Sequence, residues 1–354
     1  MKTTVLHIGS TKTGTSSLQQ YFSKHAADLR RQGVVYPRAG RNAPGQVAHH
    51  NLCYQKQAGR VTTGVFRPEV GTWREALAEI DGGPGTAGII SSEAFMNCKP
   101  HQVGAFAEEL AGRDLHVVAY VRRQDKWLQS AWNQLARFGR CSLDFQEFYA
   151  GIRRRGRGEY HQMLQPWVES FGASVVAVKN FDALSSRGIV PDFFESFLPS
   201  VRLHDVRDPN AARSNTMAGV KQLVAVATVL GTCREEMGPE FQLPSTSAIR
   251  IADFFRGRRG EIRKFSVLSY EEACEIHRSF APSNSRLESL SISFLESGGF
   301  PSPQPEEYQD HIEITKLGSE IFDKEELRFL SRLAAEVIRA KGKERRSPRR
   351  PGTT

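Results

Sequence analysis

The feature that most constrains the fold lies at the start of the chain, where an apolar segment leads into a loop and then a helix. Residues 5–8 are mostly apolar, and the loop that follows reads Gly9-Ser10-Thr11-Lys12-Thr13-Gly14-Thr15-Ser16-Ser17. A helix is predicted next, because apolar residues share one face of a 3.6-residue period at positions 18, 22, 26 and 29. Loop N–H groups and a helix N-terminus, which carries roughly +0.5 e, together attract anions. The sequence therefore predicts an anion-binding site here.

The position of the lysine narrows this prediction. The nucleoside-triphosphate loop reads G-x-x-x-x-G-K-[ST], with its lysine directly after the second glycine. Gly9 and Gly14 keep that spacing, but Thr15 takes the lysine position and Lys12 lies two residues before Gly14. A lysine on the crest of the loop points at the bridging end of a phospho-anhydride. The pattern favours an anion-binding loop over a simple strand-to-helix turn and leaves the anion open.

Strand-like and helical segments alternate through the first half of the chain. Further strand-like segments occur at 34–36, 87–90, 115–121 and 174–178, with helical patterns between them. This alternation predicts an α/β fold, a P-loop-like parallel sheet flanked by helices. Ligands of such sheets bind beyond the carboxyl ends of the strands. We therefore expect the Lys12 loop, Glu93 and Arg122 at one edge of the sheet.

The rest of the chain is predicted to be helical or irregular. We expect residues 1–300 to form the α/β domain, with 190–300 mainly helical, and 301–338 to form a helical extension. Residues 339–354 carry seven Lys and Arg against one Glu and are predicted to be a disordered basic tail. Residues 38–70 look like a long surface loop. One helix is predicted at 269–280 and another at 284–295, with Asn284 as the N-cap of the second.

Charge and cysteine content exclude several classes of protein. The formal net charge is +9, but much of it lies in the tail, where no aromatic residue interleaves, so we expect no nucleic-acid partner. The five cysteines form no CxxC pair, which argues against a disulfide framework or zinc site and for a reducing compartment. No apolar run reaches the length of a membrane span, and no secretory signal is evident. A cytoplasmic protein without a metal site is expected.

A second segment offers another group of anion ligands. Arg122 follows the strand at 115–121, and Ser130 lies eight residues later, about two turns into the next helix. A guanidinium and a hydroxyl in that relation can hold one phosphate from two sides. An ordinary basic turn followed by a solvent-facing serine is an equally good interpretation of this segment alone. Trp127 and Trp132 lie on the apolar face of the same helix and are expected in the core.

Taken together, the two segments resemble those of the PAPS-dependent sulfotransferases, and most closely the bacterial branch with HIGxxKTGTSSLQ and YVRRQDxWLxSxxNQ. Arg213-Ser214-Asn215 and the segment 280–287 also resemble that family, so the likeness extends over about 3–295. It implies that the protein binds 3′-phosphoadenosine 5′-phosphosulfate (PAPS) and releases adenosine 3′,5′-bisphosphate (PAP). The 5′-phosphosulfate would be held by Lys12, Thr13, Gly14, Thr15, Ser16 and Ser17, and the 3′-phosphate by Arg122 and Ser130.

The resemblance also implies transfer of a sulfuryl group in line to an acceptor hydroxyl, by family analogy on a carbohydrate. Lys12 would stabilise the charge on the leaving oxygen. A general base must take the acceptor's proton, and Glu93 is the first candidate because it follows an early strand. Alternatively, Glu93 caps a helix or pairs with Lys12 or Arg123, and His49 or His50 is the base.

Two other functions are compatible with the sequence. A P-loop nucleotide or sugar kinase would use ATP and magnesium, although the displaced lysine and the lack of a clear strand-end Asp for the metal argue against it. A non-catalytic protein of the same fold would hold an anionic polymer through the basic tail. Binding of adenosine 3′,5′-bisphosphate without magnesium separates the first from the sulfotransferase, and deletion of 339–354 tests the second.

Overall fold

The computed structural model describes residues 2–41, 45–55, 65–184, 188–203, 217–258, 260–262 and 264–346, without the side chains of 292 and 343–346. The chain divides into two compact units. The first consists of Met1–Gln124, Gly158–Ala212 and His277–Ser302. The second consists of Asp125–Arg157, Arg213–Ile276 and Pro303–Thr354. The segment 213–215, which resembles the sulfotransferase family, lies outside the described residues.

A parallel sheet forms the centre of the first unit. Its strands are β1 (Thr3–Gly9), β2 (Val34–Val35), β3 (Ala87–Ser91), β4 (Asp114–Val121) and β5 (Val176–Asn180). Their order is β2-β3-β1-β4-β5, and every pairing is parallel. The predicted α/β class is therefore confirmed. Because β1 pairs with β3 on one side and β4 on the other, the loop after β1 begins at the middle of the sheet's carboxyl edge.

Helices account for most of the remaining structure. In chain order they are α1 (Thr15–Lys24), α2 (Ala26–Arg31), α3 (His50–Gln55), α4 (Trp73–Asp81), α5 (Pro100–Glu109), α6 (Gln124–Ala136), α7 (Phe145–Arg154), α8 (Tyr160–Phe171), α9 (Ile189–Phe197), α10 (Val220–Met237), α11 (Ser245–Phe255), α12 (Tyr270–Leu290), α13 (Ile292–Glu296) and α14 (Lys324–Arg346). Capping boxes mark the beginnings of α4 and α12: Glu75 N–H donates to Thr72 Oγ1 and Glu272 N–H to Ser269 Oγ, and each glutamate side chain accepts from the backbone N–H of its partner. In the described part of the chain, no helix is both long and apolar enough to cross a membrane.

The two faces of the sheet are covered by separate apolar clusters. Successive side chains of a strand point to opposite faces, so Leu6 and Ile8 of β1 join one cluster and Val5 joins the other. The first cluster contains the large side chains Trp73, Phe95, Phe106 and Trp167. The second contains Leu18 and Phe22 of α1, packed with residues of α9. Burial of such side chains, at about 1.5–3 kcal/mol each, fixes α1 and therefore the loop that precedes it.

The outer edge of β5 is closed by hydroxyl groups. Ser293 Oγ accepts a hydrogen bond from Val178 N–H at 2.9 Å, and Ser297 Oγ accepts one from Asn180 N–H at 2.9 Å. Ser293 lies in α13 and Ser297 is its C-cap residue. Two backbone donors that an edge strand leaves unpaired are therefore satisfied within the chain.

Three sequence-based expectations require correction. Helix α12 continues through Pro282, so Asn284 lies inside it; Asn284 is not an N-cap, and its amide instead pairs reciprocally with that of Gln124 at 2.7 and 3.3 Å. Helix α14 runs to Arg346, beyond the predicted start of disorder at residue 339, because Lys and Arg favour helices and suit a helix C-terminus. Residues 347–354 lie outside the described residues.

The third correction concerns 38–70. This segment is not simply a surface loop, because it contains α3 and buries Leu52 and Cys53 against the first cluster. Trp73 Nε1 donates to Leu52 O at 2.9 Å and joins the segment to α4. The prediction that Trp127 and Trp132 belong to the core is confirmed, since they are 7% and 0% exposed.

Candidate functional site

The loop between β1 and α1 has the backbone of an anion-binding turn. Lys12 and Gly14 have left-handed φ angles of 67° and 75°. Gly14 is the N-cap of α1 and provides no side-chain hydrogen bond to it. The N–H groups of the first helical turn are therefore without a side-chain cap, which suits a bound anion. Thr13 is buried and its hydroxyl donates to Ser10 O at 2.6 Å, so this threonine stabilises the loop from within.

Gly14 also permits a close contact with the wall of the site. A Cβ at this position would lie 3.0 Å from Ile189 Cγ2 and 3.1 Å from Phe181 Cε2. Phe181 follows β5, and its ring centroid lies 5.6 Å from Arg122 Cζ. The same aromatic ring therefore lies beside both the loop and the arginine.

Backbone contacts bring the loop to the end of β4. Ser10 N–H donates to Tyr120 O at 2.7 Å, and Arg122 lies two residues after that carbonyl. The Tyr160 hydroxyl donates to Arg122 O at 2.8 Å. The loop of Lys12 and the segment of Arg122 are therefore neighbours at the carboxyl edge of the sheet.

The Arg122 guanidinium is oriented by a carboxylate that the sequence did not single out. Arg122 Nε donates to Asp182 Oδ1 at 3.0 Å. Asp182 Oδ2 accepts from the backbone of Arg123 at 3.2 Å, and the Asn180 side chain caps the Asp182 N–H at 2.9 Å. Among the described residues, the other two guanidinium nitrogens of Arg122 make no hydrogen bond. The position of Asp182 directly after β5 is the signal that could have identified it.

Ser130 lies in α6 and is half-buried. It belongs to the second unit, whereas Arg122 belongs to the first. Joint binding of one phosphate by Arg122 and Ser130 stays a prediction.

Glu93 lies next to the beginning of the loop. A Cβ at Gly9 would lie 3.2 Å from Glu93 Cα, so the glycine permits this approach. Glu93 Oε2 accepts from Gln19 Nε2 at 2.9 Å, and Oε1 is 3.9 Å from His50 Nε2. The carboxylate is 25% exposed. Gln19 and His50 both lie beside this carboxylate, so it can accept a proton at the edge of the site.

The two adjacent histidines have different environments. His49 is fully buried; its Nε2 donates to Pro37 O at 3.0 Å and its Nδ1 accepts from Ser91 N–H at 3.1 Å. Burial lowers the pKa of His49 to about 3, so it is a structural residue and a poor proton acceptor. His50 is 28% exposed, and its Nδ1 lies 2.7 Å from Ser92 Oγ. Of the two histidines, His50 is the one brought beside Glu93.

Sequence reasoning missed a buried polar chain behind Glu93. Gln19 Nε2 also lies 3.4 Å from Ser91 Oγ, and Ser91 Oγ lies 2.8 Å from His7 Nδ1. Burial lowers the pKa of His7 to about 4, against the opposing effect of the Glu93 charge. Nothing in the local sequence indicates these contacts, because they join β1, α1 and the end of β3.

These groups have a simple combined chemistry. The loop, Lys12 and Arg122 supply cationic groups and N–H donors for an anion, whereas Glu93 and His50 supply proton acceptors. Within the described residues, no group of three or more His, Cys, Asp or Glu side chains could hold a metal ion.

Comparison with known proteins gives limited similarity. No family model matches this chain. An uncharacterized protein of Archaeoglobus fulgidus is 26% identical over 137 residues, and the match covers 36% of this chain and 36% of that protein. The chain thus spans about 36% of that relative's length. Among solved structures, the crystal structure of a sulfotransferase from Alicyclobacillus acidocaldarius is similar over 82% of this chain and 96% of that chain, with 19% identity and a TM-score of 0.41.

Proposed function

We propose that this chain is a sulfotransferase that moves a sulfuryl group from PAPS to an acceptor hydroxyl. The observation that carries the proposal is the hydrogen bond from Ser10 N–H to Tyr120 O, which joins the Lys12 loop to the segment of Arg122. Two cationic groups at neighbouring strand ends suit a nucleotide with phosphates at both ends.

The residues of the first unit fit this donor. Gly14 leaves the N-terminus of α1 without a side-chain cap, and Thr15, Ser16 and Ser17 form its first turn. With Lys12 they would hold the 5′-phosphosulfate. Arg122, oriented by its carboxylate partner, would hold the 3′-phosphate together with Ser130. When bound, PAPS supplies the activated sulfuryl group and a phosphate leaving group.

The protein's own groups stabilise charge and accept a proton. With PAPS bound, the Lys12 ammonium and the positive end of α1 would stabilise the negative charge that develops on the leaving oxygen, and one such donor is worth about 3 kcal/mol. Glu93 takes the acceptor's proton on Oε1, the oxygen that faces His50, because Oε2 is engaged by Gln19. We propose a carbohydrate hydroxyl as the acceptor by family analogy alone.

Calorimetric titration with PAP and with ATP tests nucleotide choice. We expect PAP to bind with or without magnesium, and Lys12→Ala and Arg122→Ala each to weaken binding at least about tenfold. Lys24→Ala, at the far end of α1, and Arg30→Ala, exposed on α2, are matched controls that leave binding unchanged. Magnesium-dependent ATP binding without PAP binding would instead identify a kinase.

A transfer assay tests catalysis. The protein is incubated with [³⁵S]PAPS and a panel of glycans, lipids and small alcohols. We expect Glu93→Gln to reduce turnover by about 10²–10⁴-fold with PAP binding intact. Near-normal turnover in that variant would move the base to His50, which His50→Gln then tests. Anion binding that is lost on deletion of 339–354, with no transfer to any acceptor, would favour the non-catalytic alternative.

A further inference from the structure

Gln19 is a buried polar side chain on the inner face of α1. It is 3% exposed and lies one helical turn after Thr15. Its amide nitrogen is 2.9 Å from Glu93 Oε2 and 3.4 Å from Ser91 Oγ. A buried amide needs such partners, because an unsatisfied one costs about 1–3 kcal/mol.

The donor and the acceptor can be assigned in the hydrogen bonds that Gln19 makes. An ionised carboxylate only accepts hydrogen bonds, so the NH₂ group of Gln19 faces Glu93, and this assigns the amide orientation. Ser91 Oγ accepts from the second amide hydrogen and lies 2.8 Å from His7 Nδ1. The other ring nitrogen of His7, Nε2, has no hydrogen-bond partner among the described residues.

The hydrogen bond from Gln19 gives the two carboxylate oxygens of Glu93 different roles. Oε2 is held by Gln19, whereas Oε1 is 3.9 Å from His50 Nε2 on the partly exposed side. Gln19 belongs to the helix whose first turn is the proposed 5′-phosphosulfate site. The amide therefore connects the helix that would bind the donor with the carboxylate that would accept the proton.

We infer that Gln19 is a positioning residue, which holds Glu93 in the orientation needed to deprotonate the acceptor. This inference rests on the proposed function, in which Glu93 is the general base. Gln19 itself touches no reacting atom. Its effect on turnover must therefore pass through Glu93.

Gln19→Met tests this role, because methionine keeps the length and volume of the side chain and removes the donor. We expect kcat to fall about tenfold to hundredfold, as for other small displacements of a catalytic group, with the KM for PAPS within about twofold. Gln20→Met, at the exposed neighbouring position, is the matched control and leaves kcat unchanged.

A double-mutant cycle provides the sharper test. In a Glu93→Gln background, we expect Gln19→Met to change the residual kcat by less than about twofold, because the group through which it acts is already lost. Equal fold losses in the two backgrounds, or an unchanged kcat in the single variant, would overturn the inference.

The unfolding midpoints in urea of the same four proteins form a second double-mutant cycle, which tests this inference separately from the proposed function. We expect Gln19→Met to lower the unfolding midpoint in the wild-type background and to lower it less in the Glu93→Gln background. Equal shifts in both backgrounds would refute the Gln19–Glu93 coupling whether or not the protein transfers sulfuryl groups. Coupling without any transfer activity would refute the proposed function and the positioning role in it, and leave only the structural contact.

Discussion

Mild acid is expected to destabilise the first unit through its buried histidines, and His49 provides the clearest case. Burial lowers the pKa of His49 to about 3, from 6.5 in the unfolded chain. At pH values below 6.5 the unfolded chain therefore binds a proton that the folded chain does not, so stability falls as the pH falls and stops falling near pH 3. At about pH 5 the difference is about 1.5 pH units at about 1.36 kcal/mol each, which gives about 2 kcal/mol. His7, with a pKa lowered to about 4, adds a similar amount.

Urea unfolding followed by fluorescence, at about pH 7.5 and about pH 5, measures this effect. The wild-type protein is expected to lose about 4 kcal/mol from the two histidines between these pH values. His49→Asn is expected to lower stability at about pH 7.5, because the bond to Pro37 is lost, but to reduce the loss on acidification by about 2 kcal/mol. Other titrating groups are common to both proteins and cancel in the comparison. An identical loss in wild type and variant would refute the assignment of His49 as a buried, neutral residue.

Three further predictions concern the loop, the arginine and a helix cap. Gly14→Ala should lower the free energy of unfolding by about 1–3 kcal/mol in urea, because of its positive φ and the 3.0 Å contact; Gly104→Ala, in open space on α5, should raise it by about 0.5–1 kcal/mol. Arg122→Lys should weaken PAP binding at least about tenfold by calorimetry, since one ammonium cannot both bond its carboxylate partner and grip a phosphate through paired N–H groups. Thr72→Ala should cost about 1 kcal/mol in the same unfolding assay, and no change would contradict its role as N-cap of α4.

Local sequence patterns predicted the architecture well. Apolar runs bounded by turn residues identified the strands, and their alternation with helices is sufficient for a parallel sheet. The neighbouring positions of the Lys12 loop, Glu93 and Arg122 followed from a general property of such sheets, namely that carboxyl ends of strands share an edge. A helix end is encoded locally where a cap and its partner lie within a few residues, as at Thr72 and Glu75.

The incorrect or missing parts depend on contacts between distant segments. The helical patterns at 269–280 and 284–295 predicted two helices, but α12 is continuous from Tyr270 to Leu290 and includes Pro282, because tertiary packing outweighs a local preference. His49 and His50 are adjacent in sequence, yet one is enclosed by Pro37 and Ser91 and the other lies beside Glu93. Gln19 and Asp182 acquire their roles from partners 74 and 60 residues away. The position of Asp182 after β5 marks it as a candidate, but no local pattern identifies the partner of either residue.

The serine hydroxyls on β5 have a consequence for how the protein behaves in concentrated solution. A bare outer strand can recruit the strand of another molecule, and this is a common route to aggregation. Here Ser293 and Ser297 already occupy two of the donors that such recruitment would use. A chain shortened to end before residue 291 would therefore keep all five strands of the sheet but leave the outer edge of β5 unpaired and prone to aggregation.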